Sequence, residues 1–283
     1  MFRINTITRG RFGNKILHYN SLAQLGTLYD RPISCGAWEG HEYFTDLKTA
    51  RDLEKEQLFL SWQEILEHDN LKLAEEYEYE LDPYCLHNSF WKLTHQDPRT
   101  FFQIKEAHKP NLPKDKINVG IHFRGTDILG ADGNHGREIH SAQYYRDAIN
   151  FVTEQLGDVL FHLCTDDLNF KSYQETVKYL QMKNLRFKKG NVHNYWDDFA
   201  TLSECEVLIA SSSTFVVCAG FLGVENKKII HSMEWIQKNL DHTLWHPYKE
   251  DPPEVRKTQL SFDNFWVQLY NGGNEFYHAW EFI

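Results

Sequence analysis

Residues Ile117–His140 read INVGIHFRGTDILGADGNHGREIH, an apolar run set directly against His122, Arg124, Asp127 and Asp132. A short apolar run bounded by glycine and charge reads as a strand buried on both faces, and such strands belong to parallel sheets. The segments that follow alternate in character. SAQYYRDAINFVTEQLG is helical, DVLFHLCT a strand, NFKSYQETVKYLQM a helix, WDDFATLSECE a helix, VLIAS a strand, STFVVCAGFLG a helix and KKIIHS a strand. Short apolar strands alternating with amphipathic helices predict parallel βαβ units with helices on both faces, a doubly wound α/β domain. Ligands in such sheets sit outside the carboxyl ends of the strands. Arg124, the pair Asp166–Asp167 and the run Ser211–Thr214 all fall at such ends.

Toward the N-terminus, FRINTI alternates as a strand, TRGRFGN supplies glycines, and KILHYNSLAQLGTLY carries apolar residues at helical spacing. KEQLFLSWQEILEHDN and LKLAEEYEYELD are candidate helices of a polar middle section. HKPNLPKDK, with its prolines and alternating charge, reads as an interdomain linker. It separates an N-terminal domain (residues 1–113) from a C-terminal domain (residues 114–283). The last segments of the second domain are expected to be helices able to pack back on the first.

Composition limits the function classes. Forty acidic against thirty basic residues give a net charge of −10, which argues against a nucleic-acid partner because phosphate contacts need a basic surface. No apolar stretch approaches the ~20 residues that span a bilayer, and MFRINTITRGRFGNK lacks the pattern of a signal peptide. The five cysteines (Cys35, Cys85, Cys164, Cys205, Cys218) are scattered, without a CxxC pair, so neither structural zinc nor a disulfide framework is expected. Reduced thiols in a cytoplasmic protein are the plain expectation.

Four segments offer chemistry. In GRFGN, Gly10 and Gly13 flank a strand-to-helix turn whose N–H groups could meet an anion, although a tight turn alone would look the same. In HFRGTD, Arg124 can present a planar fork of donors to a phosphate or carboxylate, and Gly125 lets a ligand approach the backbone; the bland alternative is a surface arginine paired with Asp127. In CTDD, Asp166 or Asp167 could accept hydrogen bonds from a ribose or from guanine, or could simply cap the next helix. ASSSTF closes a strand and opens a helix, so Ser212, Ser213 and Thr214 suit a pyrophosphate, or a plain serine-rich cap. There is no Asp-x-Asp and no other metal-ligand cluster, and the GxSxG elbow of a serine nucleophile is absent.

Together these segments resemble the fucosyltransferase superfamily, which includes α1,2- and α1,6-fucosyltransferases and protein O-fucosyltransferases. GRFGN is similar to the N-terminal glycine-rich loop of the protein O-fucosyltransferases and, more loosely, of the bacterial α1,2 enzymes, and HFRGTD to the HxRRxD signature. YYRDAINF, TDD, DDFATLSECEVLIASSSTF and AGFLG match the remaining motifs of the bacterial α1,2 enzymes in order and spacing. The likeness covers residues 9–27 and 117–235. It implies a GT-B fold, two Rossmann-like domains facing across a cleft, the first (residues 1–113) on the acceptor side and the second (residues 114–283) binding the nucleotide sugar, with no metal or other cofactor and GDP-fucose as the donor. It further implies that Arg124 binds the β-phosphate and that His122 contacts the diphosphate or ribose. Gly13 and Asn14 would face the phosphate and sugar, Asp166 or Asp167 would read ribose or base, and Ser212, Ser213 and Thr214 the pyrophosphate. Two positions depart from the pattern: the second arginine of the signature is Gly125, and the lysine after the signature aspartate in the α1,6 enzymes is Ile128. By counting, the proposed base falls at Asp132, with Glu138 a rival.

The expected function is thus an inverting, metal-independent transfer of fucose from GDP-fucose to a glycan hydroxyl, with Arg124 and Asp132 or Glu138 as the catalytic residues. The partners would be a nucleotide-sugar donor and a glycan acceptor. Two alternatives stand beside it. One keeps the scaffold and changes the nucleotide sugar; the other, prompted by Gly125, is a nucleotide-sugar or glycan-binding protein without turnover.

Overall fold

The computed structural model describes residues 2–4, 11–48, 57–60, 78–81, 98–125, 140–224, 227–232, 265–270 and 276–278. The chain divides into two compact units, Met1–Lys105 and Glu106–Ile283.

The first unit is built on a parallel sheet of four strands, β1 (Phe2–Ile4), β2 (Ile33–Cys35), β4 (Gln57–Leu60) and β5 (Glu78–Leu81), in the order β2-β1-β5-β4. A small antiparallel pair, β3 (Phe44–Thr45) with β6 (Gln103–Ile104), adjoins it. Helix α1 (Phe12–Leu28) is buried along nearly its whole length. Its Phe12 packs near Trp38, Tyr43 and Phe44, and Tyr19 meets Phe102 edge-on at 5.4 Å. Tyr19 also accepts the Lys48 amide at 2.8 Å, and burial raises its hydroxyl pKa to about 12.

Strands β4 and β5 overturn the two helices expected at KEQLFLSWQEILEHDN and LKLAEEYEYELD over these residues. Glu, Leu and Gln favour helices intrinsically, but propensity yields to pairing. Tyr79 lies opposite Phe2 in the ladder, and Tyr79 and Leu81 are buried, so the Tyr-Glu alternation was the better guide.

The second unit carries a seven-stranded sheet among the described residues. Its strands are β7 (Ile117–Phe123), β8 (Val159–Thr165), β9 (Phe187–Lys189), β10 (Val207–Ile209), β11 (Lys227–Ser232), β12 (Phe265–Tyr270) and β13 (Phe276–His278). The order is β13-β12-β11-β10-β7-β8-β9, parallel except for β13. From β9 to β12 this is the 3-2-1-4-5-6 order of doubly wound nucleotide-binding sheets. Helices α2 (Ala142–Leu156), α3 (Lys171–Met182), α4 (Tyr195–Glu204) and α5 (Thr214–Leu222) connect the strands. Ser141 caps α2 by accepting the Tyr144 amide, and Asn194 caps α4 by accepting that of Trp196.

Side chains on β7 alternate between two helical layers. Phe123 meets Tyr145 of α2 at 4.3 Å and Tyr173 of α3 at 5.3 Å, whereas His122 stacks on Phe215 of α5 at 5.3 Å. The α/β class with parallel sheets is therefore as the sequence predicts. The tail differs: its described residues are not helices but β12 and β13, which extend this sheet. FWVQLY is rich in aromatic and β-branched residues, which favour a pleated sheet.

Lys227, fully buried at the start of β11, ties two helix ends together. Its ammonium donates to Leu202 O at 2.7 Å and Ser203 O at 2.6 Å in the last turn of α4, and to Ala219 O at 3.4 Å in the last turn of α5. These carbonyls lack helical partners and carry the negative end of the helix dipole. Gly223 completes the joint, since a Cβ there would lie 1.8 Å from Ser203 O and 2.5 Å from Nζ. Lys227→Met should cost about 3 kcal/mol of unfolding free energy, because it strands buried acceptors. Urea denaturation should show this as a lower midpoint with an unchanged slope; a midpoint like the wild type's would contradict the clamp.

Candidate functional site

Strand order reverses between β7 and β10, so the helices following these strands leave to different sides, the arrangement in which doubly wound sheets form a ligand crevice at the carboxyl ends of their strands. Side chains from both strand ends meet there. His122, the penultimate residue of β7, lies with Nδ1 2.6 Å from Ser211 Oγ, just past β10. Arg124, half-buried, donates through one guanidinium nitrogen to Ser212 O at 3.4 Å and to Ser213 Oγ at 3.3 Å. Ser213 also caps α5, accepting the Phe215 amide at 3.2 Å. Ser211, Ser212 and Ser213 are all buried, and Thr214 begins the helix. Thus His122, Arg124, Ser212, Ser213 and Thr214, predicted from separate segments, come together at one helix N-terminus, a natural anion-binding position.

Asp166 and Asp167 follow β8 and divide their work. Asp166 Oδ1 accepts the Gly125 amide at 2.7 Å, fixing the chain beyond Arg124. Asp167 Oδ1 accepts the Asn169 amide at 2.8 Å in a local turn. Neither caps α3, whose N-cap is Phe170 without a side-chain bond, so the capping alternative is set aside. The geometry also accounts for Gly125. A Cβ there would stand 3.0 Å from the Cβ atoms of both Asp167 and Phe170, so any larger side chain requires these neighbours to shift.

In the first unit, Gly13 and Asn14 do not lie in a loop but in the first turn of α1, after the uncapped Arg11. Lys15 beside them pairs with Glu39 at 2.7 Å. Asp132 and Glu138 lie outside the described residues, as do Asp127 and Ile128. Among the described residues no group of three or more His, Cys, Asp or Glu could hold a metal ion, and no helix is long and apolar enough to cross a membrane. Cys35, Cys164, Cys205 and Cys218 are buried thiols, unpaired with one another.

Four residues at the site escaped the sequence reading. Tyr145 donates its hydroxyl to His122 O at 3.2 Å. Tyr144 spans β10 and β11 through Ala210 O at 2.9 Å and Ile230 O at 3.0 Å. Phe215 supports the His122 ring, and His140 lies with Nε2 3.2 Å from Ser212 Oγ. The Tyr-Tyr pair and His140 stood in plain sight beside the α2 cap, but helical spacing marks them as core and says nothing of strand ends.

Burial lowers the His122 pKa to about 4; Asp166 opposes the shift and Arg124 adds to it. The imidazole is thus neutral at pH 7, able to donate or accept but carrying no charge of its own.

No family model matches the sequence, and no curated protein matches it. Among solved structures the chain is similar to POFUT1 in complex with GDP, with a TM-score of 0.55 and 9% identity over 81% of this chain and 97% of that one. It is similar to POFUT1 in complex with GDP-fucose at a TM-score of 0.54 and 10% identity, over 78% and 93% of the two chains. The apo form of POFUT1 aligns at a TM-score of 0.52 and 12% identity, over 77% and 94%. At such identities the likeness defines the fold: this chain is a mixed α/β protein with the fold of POFUT1.

Because the unfolded His122 side chain titrates near 6.5, the unfolded state binds more protons between that value and about 4. Stability should fall as pH drops through this window. His162, also lowered to about 4 by burial and then Lys188, acts in the same direction. Asp198, raised to about 7 chiefly by burial, acts in the opposite one, favouring the folded state as pH falls. A difference measurement isolates His122. The stability gap between wild type and His122→Asn, measured in urea across pH, should be widest near neutrality and narrow toward pH 4; a constant gap would contradict the assignment.

Proposed function

We propose that this protein is an inverting, metal-independent glycosyltransferase that moves fucose from GDP-fucose to a hydroxyl of a glycan acceptor. The observation that carries the reading is the meeting of Arg124, His122 and the Ser211–Ser213 run at the α5 N-terminus, in the crevice where strand order reverses. The fold it shares with POFUT1, whose solved structures hold GDP and GDP-fucose, supports the same reading.

In this account the second unit holds the donor and the first, with Gly13 and Asn14, serves the acceptor side and the sugar. The acceptor oxygen attacks the anomeric carbon from the face opposite the diphosphate, and the carbon–oxygen bond to the β-phosphate breaks. Negative charge grows on the departing GDP. Arg124 and the N-terminal amides of α5 stabilise that charge, most strongly where water is excluded. Neutral His122, placed by Ser211 and Phe215, offers a hydrogen bond to the diphosphate or ribose without altering the charge balance. Asp166 or Asp167 reads ribose or base, and a carboxylate, Asp132 ahead of Glu138, removes the acceptor proton.

Gly125 favours a second reading. With no second arginine at that position, the crevice could serve another nucleotide sugar, or hold one without turning it over. The donor base tests the first point: GDP should raise the melting temperature more than UDP or ADP, since a saturating ligand at 100 times its Kd stabilises by ~2.7 kcal/mol. A UDP preference, or equal shifts for all three, would rule out guanine recognition.

Turnover tests the second. Sugar transfer from GDP-fucose should persist in excess EDTA, and Arg124→Ala should cut kcat by ~10²–10³ in a folded protein, with only partial rescue by Lys. Binding without transfer to any acceptor would leave the binding-protein reading standing, and an Arg124→Ala variant with wild-type rate would remove Arg124 from the mechanism.

A further inference from the structure

The three consecutive serines after β10 each have a different partner. Ser211 Oγ meets His122 Nδ1 at 2.6 Å, Ser212 Oγ meets His140 Nε2 at 3.2 Å, and Ser213 Oγ accepts from Arg124 at 3.3 Å. The middle contact has no part in the reading above. We infer that His140 is a positioning residue of the anion subsite: it donates Nε2–H to Ser212 Oγ and so turns the Ser212 proton toward the donor diphosphate. The inference rests on the proposed nucleotide-sugar site and adds a residue to it.

A hydroxyl has one proton to give and lone pairs to receive. If Ser212 gave its proton to His140, its lone pairs would be left for the crevice and would repel an anion. If His140 gives instead, the Ser212 proton is available to a phosphate oxygen. The same backbone segment is already turned toward positive charge, because Ser212 O accepts from Arg124 at 3.4 Å. Both side chains are buried, so the direction of the bond is set by protein neighbours and ligand rather than by water.

His140 is held in place for this task. Its ring packs on Tyr144 at 4.6 Å between centroids, inclined by 39°. Tyr144 is itself anchored to the main chain of β10 and β11 through Ala210 O and Ile230 O. The His140 carbonyl accepts from Ser172 Oγ on α3 at 2.9 Å. Tyr144 of α2 therefore holds the imidazole, and Ser172 of α3 holds the His140 main chain. A side chain that had only to fill this space would need no nitrogen.

Three variants separate a donor role from mere packing. His140→Phe keeps an aromatic ring beside Tyr144 and removes the nitrogens. Ser212→Ala removes one oxygen and little else. His140→Gln can place an amide N–H near the Nε2 position. The probes are GDP and inorganic pyrophosphate, titrated by calorimetry into each purified protein, with donor KM and kcat measured beside them. His140→Phe and Ser212→Ala should each weaken GDP about tenfold, the size of one hydrogen bond to a charged group. The double variant should be no weaker than either single one, because both remove the same bond. His140→Gln should recover most of the loss. The donor KM should rise with a smaller fall in kcat, since the bond is made to the bound donor and strengthens only modestly as charge grows on the departing diphosphate.

A packing role alone would lower the melting temperature and leave the GDP Kd of the folded variants unchanged. That result, or losses that add in the double variant, would overturn the inference while the GDP reading stands. If His140→Phe does not fold, Ser212→Ala and His140→Gln carry the same test. Wild-type protein that binds pyrophosphate but not GDP would overturn the guanine reading and leave the His140 comparison to be made with pyrophosphate. Binding of neither would overturn both.

Discussion

The pairing of β7 with β10 is the constraint on which the rest depends. β7 also pairs with β8, so it sits where the parallel sheet changes direction of growth. At that point two chain segments far apart in sequence are pressed side by side. His122 and Ser211 are 89 positions apart, yet their side chains meet at 2.6 Å because Ile121 is in register with Ile209. The register of one ladder thus brings an arginine, an imidazole and a helix N-terminus to one place. A slip by one residue would turn His122 to the other helical layer.

Burial then decides what those groups can do. It drives His122 neutral while leaving it beside Arg124 and Asp166. It raises the Cys35 and Cys205 thiols to about 12, and the Cys164 and Cys218 thiols also rise, which makes nucleophilic chemistry by these cysteines a poor fit at neutral pH. At the opposite end of α4 and α5, the Lys227 ammonium answers the carbonyl ends of both helices. Burial lowers the Lys227 pKa to about 7; when protonated, this side chain at the C-terminus of α5 and an anion at its N-terminus would satisfy the same dipole from both sides.

Much of the second unit could be read from the amino-acid order. From Ile117 to Ser232 the period switches cleanly between apolar runs and amphipathic helices, so the placement of Arg124, Asp166 and Ser211–Thr214 at strand ends followed directly. Short strands were harder. β4 and β5 hide in segments rich in helix formers and exist because parallel neighbours hold them, and β9, only Phe187–Lys189, is too brief to show a period. The reason for Gly125 could not be read at all, since it lies in the close approach of Asp167 and Phe170. His140 was equally hidden: a histidine before a helix cap has no sequence mark saying that it will reach a serine 72 positions away.

The central claim is that the crevice between the ends of β7 and β10 binds a diphosphate. A crystal structure of the protein grown with GDP tests it most directly. The account predicts both phosphates within hydrogen-bond distance of the Arg124 guanidinium and the first-turn amides of α5, with the His122 ring still on Ser211. GDP bound with its phosphates away from Arg124 and the α5 N-terminus, or an empty crevice at saturating GDP, would contradict it.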